Sequence, residues 1–167
     1  LEIQNDLIAI VEYRTKIENQ SYLFNNGTYW NSNDKMLQLT NGQYGNSSLD
    51  PSSVFVPNIF TLDEVMLSDI NTTSYLDFIA PDFLKSHAEA VAVYYISKLG
   101  YTTYYPNINL AKNIPAEFNP TEQLFFTIAD PTNNPDQSPQ WTDPYQDPAG
   151  EGLVVTLSIP VYSSAGT

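Results

Sequence analysis

The chain has 167 residues, 42% of them hydrophobic and 13% aromatic, enough to bury the core of one domain and to argue against disorder despite 12 prolines. Nineteen acidic residues against six basic ones give a net charge of −13, which repels phosphate backbones and excludes nucleic acid and anionic membrane surfaces as natural partners. The absence of cysteine excludes disulfides, thiolate metal sites and cysteine nucleophiles, and no apolar run reaches the roughly 20 residues of a membrane helix.

In chain order, residues 1–20 read as a helix. Ile3, Leu7, Ile10, Arg14 and Ile17 follow a 4-3-4-3 spacing with Ile8 and Val11 on the flank, a stripe that suits either a coiled-coil seam or docking on a sheet. Arg14, the only arginine, interrupts it. No cap marks the helix start, and there is no initiator Met or signal sequence, so the chain reads as a piece excised from a longer protein. "NNGT" at 25–28 ends the helix, which sets the expected domain division at 1–24 and 25–167. Residues 25–51, rich in Asn, Gly, Ser and Gln, read as a long loop or irregular cap. The sequons at Asn19, Asn26, Asn46 and Asn71 are what chance yields in such a composition.

"SSVFVPN" (52–58) reads as a short strand closed by Pro57. "TLDEVMLSDI" (61–70) reads as a helix with Thr61 as N-cap and Glu64 as its box partner, and "APDFLKSHA" (80–88) as another with Pro81 in its first turn. The period then changes: "EAVAVYYIS" (89–97) and "YTTYYPN" (101–107), joined by "KLG", predict a hairpin. "PTEQLFFTIA" (120–129) predicts one short helix and "DPTNNPDQSP" (130–139) an irregular loop. "GLVVTLSIPVY" (152–162) alternates with period two. Its Leu153, Val155, Leu157, Ile159 and Val161 face is expected against helices, its mixed face toward a solvated cavity or loops, with a bulge or free edge at Pro160. The fold class is α+β: a long N-terminal helix followed by an antiparallel sheet with short flanking helices.

Catalytic signatures are sparse. His87, the only histidine, reads as a surface or helix-end residue, and no Gly-x-Ser-x-Gly elbow or phosphate-cradling glycine loop accompanies it. One histidine without cysteine leaves too few ligands for zinc. Asp143, Asp147 and Glu151 lie at four-residue spacing near Asp130 and Asp136, a pattern open to calcium, to paired-carboxylate glycosidase chemistry in an acidic hydrolase or carbohydrate-binding module, or to plain solvated loop acids. The run lacks the ligand alternation and central glycine of an EF-hand, and Pro144 and Pro148 stiffen it, which favours loop acids. No metal and no cofactor are expected. The aromatic clustering says more: Phe118, Phe125, Phe126, Trp141 and Tyr145, with Tyr94, Tyr95, Tyr104 and Tyr105 on the hairpin and polar tips at Gln123, Tyr145 and Asp147, suit either the wall of a small-ligand pocket or an aromatic core.

"YYPN" (104–107), "NPTEQLFF" (119–126), "WTDPYQD" (141–147) and "VVTLSIPVY" (154–162) occur in an order and spacing that resembles the Cache domains, PAS-like extracytoplasmic sensors of histidine kinases, chemoreceptors and cyclases. The region 89–162, a little under half the chain, is similar to the membrane-distal half of a double-Cache sensor, and the helix at 1–20 fits its long N-terminal helix. The resemblance implies a PAS-like sheet and a ligand pocket with Tyr145, Asp147, Gln123, Phe125, Phe126, Trp141, Phe118 and Tyr105 as site residues. It also implies that no catalysis occurs in this domain and that the N-terminal helix relays the signal. Where amino-acid-binding members carry Arg-x-Trp-Tyr, this chain has Gln123-Leu124-Phe125-Phe126, so the carboxylate clamp is missing and a neutral or amine-bearing small molecule is the implied ligand.

Members of the family have one more strand after the Pro-Val-Tyr strand, inserted centrally in the sheet. This chain stops at Gly166-Thr167, so the sheet is expected to lack its last strand and to leave ladder groups open. The implied setting is the extracytoplasmic part of a cell-membrane receptor, most closely a histidine kinase of a two-component system. Its membrane contact comes through segments outside this chain, and its homodimer through the N-terminal helix. A ligand-free structural or dimerisation half of such a receptor is the alternative.

Overall fold

The computed structural model describes residues 2–20 and 29–162. The first helix, α1 (Glu2–Asn19), buries Ile10, Arg14 and Ile17, the inner part of the predicted stripe. That stripe is used inside the chain: Ile10 packs with Leu76, Ala80, Phe83 and Val93, flanked by Ile3 and Leu7. It docks within the chain, on helical residues Leu76, Ala80 and Phe83 more than on the sheet, which contributes Val93. Residues 21–24 of the expected helix, the "NNGT" stop and the last turn at 163–167 lie outside the described residues.

The stretch expected as loop carries a one-turn helix α2 (Ser32–Lys35) and two short strands, β1 (Leu37–Gln38) and β2 (Tyr44–Gly45). Next come β3 (Ser53–Val56) and α3 (Glu64–Thr73), which runs on into a 3-10 turn at Ser74–Phe78. The N-cap of α3 is Asp63, whose Oδ1 accepts from the Met66 N–H at 2.9 Å, and not Thr61. Asp is as good a cap as any residue, and it sits one step before the first helical residue, Glu64. α4 (Ala80–Ser86) starts with Pro81 as read, and His87 caps its C-terminus.

The hairpin forms where the β-branched and aromatic residues concentrate: β4 (Val93–Ile96) pairs antiparallel with β5 (Thr102–Tyr105), Tyr94 opposite Tyr104. Strand β4 starts four residues later than its apolar run. The turn is closed by the Gly100 N–H donating to the Ser97 carbonyl at 2.9 Å, and Gly100 takes φ +101°, a region that favours glycine. The sheet is five-stranded and antiparallel in the order β1-β2-β3-β5-β4. β4 ends it, and no described strand pairs with its outer side.

Alternation along these strands divides the core in two. Val54, Val56 and Tyr101 face the helical side with Trp30, Met66 and Ile70. Phe55 and Tyr104 face the other side, covered by α5 (Leu110–Asn113) through Leu110, Ala111 and Ile114.

The C-terminal third departs most from expectation. Instead of one helix over 120–129 there is a 3-10 turn (Pro120–Glu122), a break at the extended Gln123, and α6 (Leu124–Thr127). The strand expected over 152–162 is split: β6 (Gln140–Trp141) pairs with β9 (Leu157–Ser158), and β7 (Tyr145–Gln146) pairs with β8 (Leu153–Val154), as two separate ladders. The first half of its apolar face does not meet helices, while Leu157, Ile159 and Val161 are half-buried and β9 lies against α6. Leu153 is 74% and Val155 51% exposed, while on the mixed face Thr156 meets Tyr94 of the hairpin and Tyr145 of β7. No strand is assigned from Ile159 onward, consistent with Pro160 lacking a ladder donor.

Candidate functional site

On the sheet face away from α1 the side chains of Tyr94, Ile96, Thr102 and Tyr104 form the floor of a cavity of about 40 Å³. Leu110, Ile114, Phe118 and Pro120 wall it on one side, Phe125 and the Asp147–Ala149 turn on the other. A water needs roughly 10–15 Å³ of such volume, so the space takes about three waters or a ligand of a few heavy atoms.

The aromatic wall has defined geometry. Tyr94 and Tyr104, cross-strand neighbours, stack with centroids 5.6 Å apart and planes 3° from parallel. Phe125 stands edge-on to Tyr94 at 5.8 Å and packs on Tyr145 at 5.8 Å. The wall is fastened by hydroxyls: Thr156 Oγ1 meets the Tyr94 hydroxyl at 2.9 Å and the Tyr145 hydroxyl at 2.6 Å, and Ser158 Oγ donates to the Phe125 carbonyl at 2.6 Å. The first of these bonds ties the C-terminal arm to the hairpin, the second ties it to β7, and the third ties β9 to α6.

Two polar side chains border the cavity, whose exposed lining is otherwise apolar. Tyr104 is 6% exposed, and its hydroxyl has no hydrogen-bond partner among the described residues. Burial pushes its pKa well up, with the Asp147 and Glu151 carboxylates adding to the effect, so it is a neutral donor across the physiological range. Tyr94 is likewise pushed up by burial, with the Thr156 bond opposing. The second is Asp147, whose carboxylate oxygens accept from the Ala149 N–H at 3.1 Å and the Glu151 N–H at 3.2 Å within its own turn and have further lone pairs. No lysine, arginine or histidine lines the cavity.

Of the residues expected at the site, the structure brings Phe118, Phe125 and Asp147 to the cavity and sets Tyr145 behind Phe125 through the Thr156 tie. It does not bring the others. Tyr105 projects from the opposite face of β5, packed beside the Ile10–Phe83 cluster. Gln123 gives its amide to the Asn119 carbonyl at 3.0 Å within its own turn, Phe126 is absent from the lining, and Trp141 is 49% exposed on the outer arm.

Tyr104 and Tyr94, read as part of the aromatic cluster, were left out of the expected site set, and Ile96, Leu110, Ile114 and Thr156 were missed. The period-two alternation could have found the first three, since picking Tyr105 over Tyr104 selects the wrong face of the sheet. His87 is buried and donates from Nε2 to the Asp6 carboxylate at 2.9 Å, away from the cavity.

Among the described residues no group of three or more His, Cys, Asp or Glu side chains could hold a metal ion, and no helix is long and apolar enough to cross a membrane. Comparison with models of protein families, with curated proteins and with solved structures finds no match.

Proposed function

We propose that this chain is a small-ligand-sensing domain of a membrane signal-transduction receptor, of the Cache, PAS-like type and most closely that of a histidine kinase. It binds without catalysis and relays through α1. The observation that carries the reading is the cavity on the β4–β5 hairpin, with an aromatic wall, an unpartnered Tyr104 hydroxyl and the Asp147 carboxylate at one small apolar space. A lining without a cation disfavours a carboxylate ligand, because nothing there offers a bidentate clamp. A small amine or neutral donor is the matching class: its N–H or O–H meets Asp147, and its apolar body fills the space between Tyr94, Phe118 and Phe125. The extracytoplasmic setting follows from the family resemblance. A homodimer would use a face of α1 other than the stripe, which is buried within the chain.

The test is a thermal-shift screen of amines, alcohols, amides and carboxylates. A ligand at 100 times its dissociation constant adds about 2.7 kcal/mol, which raises the midpoint by several degrees for a chain of this size. The expected result is a shift from a small amine or alcohol that Asp147→Ala abolishes and Tyr104→Phe weakens. Stabilisation by carboxylates alone contradicts the ligand class. The small volume favours one second reading, a ligand-free structural or dimerisation module. On that reading the screen is flat, and both substitutions change stability only.

A further inference from the structure

Arg14 stands in the buried stripe of α1 where the spacing calls for an apolar residue, and it is 2% exposed. Its Nη2 donates to Asp69 Oδ1 at 2.7 Å, its Nη1 to Glu18 Oε2 at 3.1 Å, and the guanidinium carbon lies 5.2 Å from the centroid of the Tyr95 ring. The other Asp69 oxygen accepts from Ser97 Oγ and from the Tyr101 hydroxyl, both at 2.9 Å. One guanidinium therefore reaches the hairpin at three places: directly at Tyr95 in β4, and through Asp69 at Ser97 in the turn and at Tyr101 before β5.

A buried ion pair is a poor way to gain stability, because desolvation offsets the attraction. Here the Nε is also left buried without a partner among the described residues. What the arrangement does supply is fixed position, since a planar fork holds its partners in one geometry. Side chains alternate across a strand, so the neighbours of the clamped residues project to the other face. Those neighbours are Tyr94, Ile96 and Thr102, three of the four floor residues of the cavity.

We propose that Arg14 is a positioning residue for the cavity: by clamping the back of the β4–β5 hairpin to α1 and α3, it sets the shape of the floor and links the docking of α1 to cavity occupancy. This rests on the cavity being a binding site. By linkage the coupling runs both ways, so whatever loosens the clamp changes what the cavity holds.

The probe is xenon, whose single apolar atom suits a small cavity with a mostly apolar lining. Under xenon pressure, NMR of the full chain should show the signals of Ile96, Leu110, Ile114 and Phe125 shifting in saturable fashion. Arg14→Met keeps the stem and removes the guanidinium; Ser97→Ala removes the link from Asp69 to the turn, together with the bond that Ser97 Oγ accepts from the Leu99 N–H at 3.2 Å. Ile10→Val, on the same helix and the same buried side, weakens packing without touching the clamp. The expected result is a change of xenon affinity of at least threefold in Arg14→Met, a smaller change in the same direction in Ser97→Ala, and none in Ile10→Val. Wild-type affinity in both clamp variants overturns the inference and leaves the cavity reading standing, and Ser97→Ala decides alone if Arg14→Met does not fold. An Ile10→Val effect as large as that of Arg14→Met also overturns it, because the response would then follow stability. Absence of any xenon response in the wild type removes the cavity reading, and the inference with it.

Discussion

Replacing Thr156 by Val tests whether the C-terminal arm is held to the hairpin by hydroxyls. The two side chains have nearly the same shape, so packing is preserved and only the Oγ1 is lost. That oxygen joins the Tyr94 hydroxyl at 2.9 Å and the Tyr145 hydroxyl at 2.6 Å. A net hydrogen bond contributes about 0.5–1.5 kcal/mol, and a polar group left buried without its partner costs about 1–3 kcal/mol. Two bonds lost, with the buried Tyr94 hydroxyl and the Tyr145 hydroxyl left to each other, sum to a destabilisation of about 2–4 kcal/mol. For a chain of this length each kcal/mol moves the midpoint by about 2–4 °C, so thermal unfolding followed by circular dichroism should show a drop on the order of 5–15 °C. Thr156→Ser, which keeps the oxygen, should lie within about 1 kcal/mol of wild type. A Val variant within about 0.5 kcal/mol of wild type, or a Ser variant as damaged as the Val one, would refute the reasoning.

Asp77 carries a pH prediction. Burial is the leading cause that raises its pKa, nearby Asp50 adds to it, and the bonds from Ser52 and Tyr29 hydroxyls oppose it. The folded chain therefore holds this proton more tightly than the unfolded one. The contribution is complete below the ordinary aspartate value of about 4 and is lost as pH rises through the raised value. Urea titrations from pH 4 upward should show the stability of wild type relative to Asp77→Asn falling with pH; a flat or rising difference contradicts this. At the alkaline end Tyr95 is pushed up to about 12, first by burial and then by Asp69, against the opposing pull of Arg14. Its contribution is intact below the unfolded value of about 10 and lost as pH rises toward about 12, a loss that a Tyr95→Phe comparison should isolate. At Gly45 an added Cβ would sit 2.6 Å from the Ala111 Cβ, so Gly45→Ala should cost about 1–3 kcal/mol by forcing α5 off the sheet. An unchanged denaturation midpoint would show that α5 yields freely.

Those parts of the fold were legible in the sequence where a single local pattern decides. The α1 stripe, the Val-Tyr-Tyr-Ile and Thr-Thr-Tyr-Tyr strands and the Gly100 turn each follow from period and turn chemistry, and each formed as read. The pattern could not say what lies behind a face. Leu153, Val155 and Leu157 alternate as a buried strand would, yet pairing with two separate partners breaks the strand and leaves Leu153 and Val155 exposed. Gln123 shows the same limit at short range: helical on propensity, it adopts an extended conformation and caps α6 while its amide serves Asn119. The candidate site was half visible. Phe118, Phe125 and Asp147 converge from separate segments; alternation separates Tyr104 from Tyr105, but which face borders the cavity needed the packing, and Thr156 needed the contact of its hydroxyl with two tyrosines. Arg14 looked like a flaw in a stripe, and only the packing connects it to Asp69 fifty-five residues away.

The central claim, that this cavity binds a small amine or neutral molecule, is tested most directly by amide chemical-shift mapping with a short primary amine such as propylamine, titrated against wild type and Asp147→Ala. The account predicts saturable shifts concentrated at Tyr94, Ile96, Tyr104, Phe118, Phe125 and Asp147 that vanish in the variant. Shifts spread over the acidic surface without saturation, or a response equal in both proteins, would contradict it.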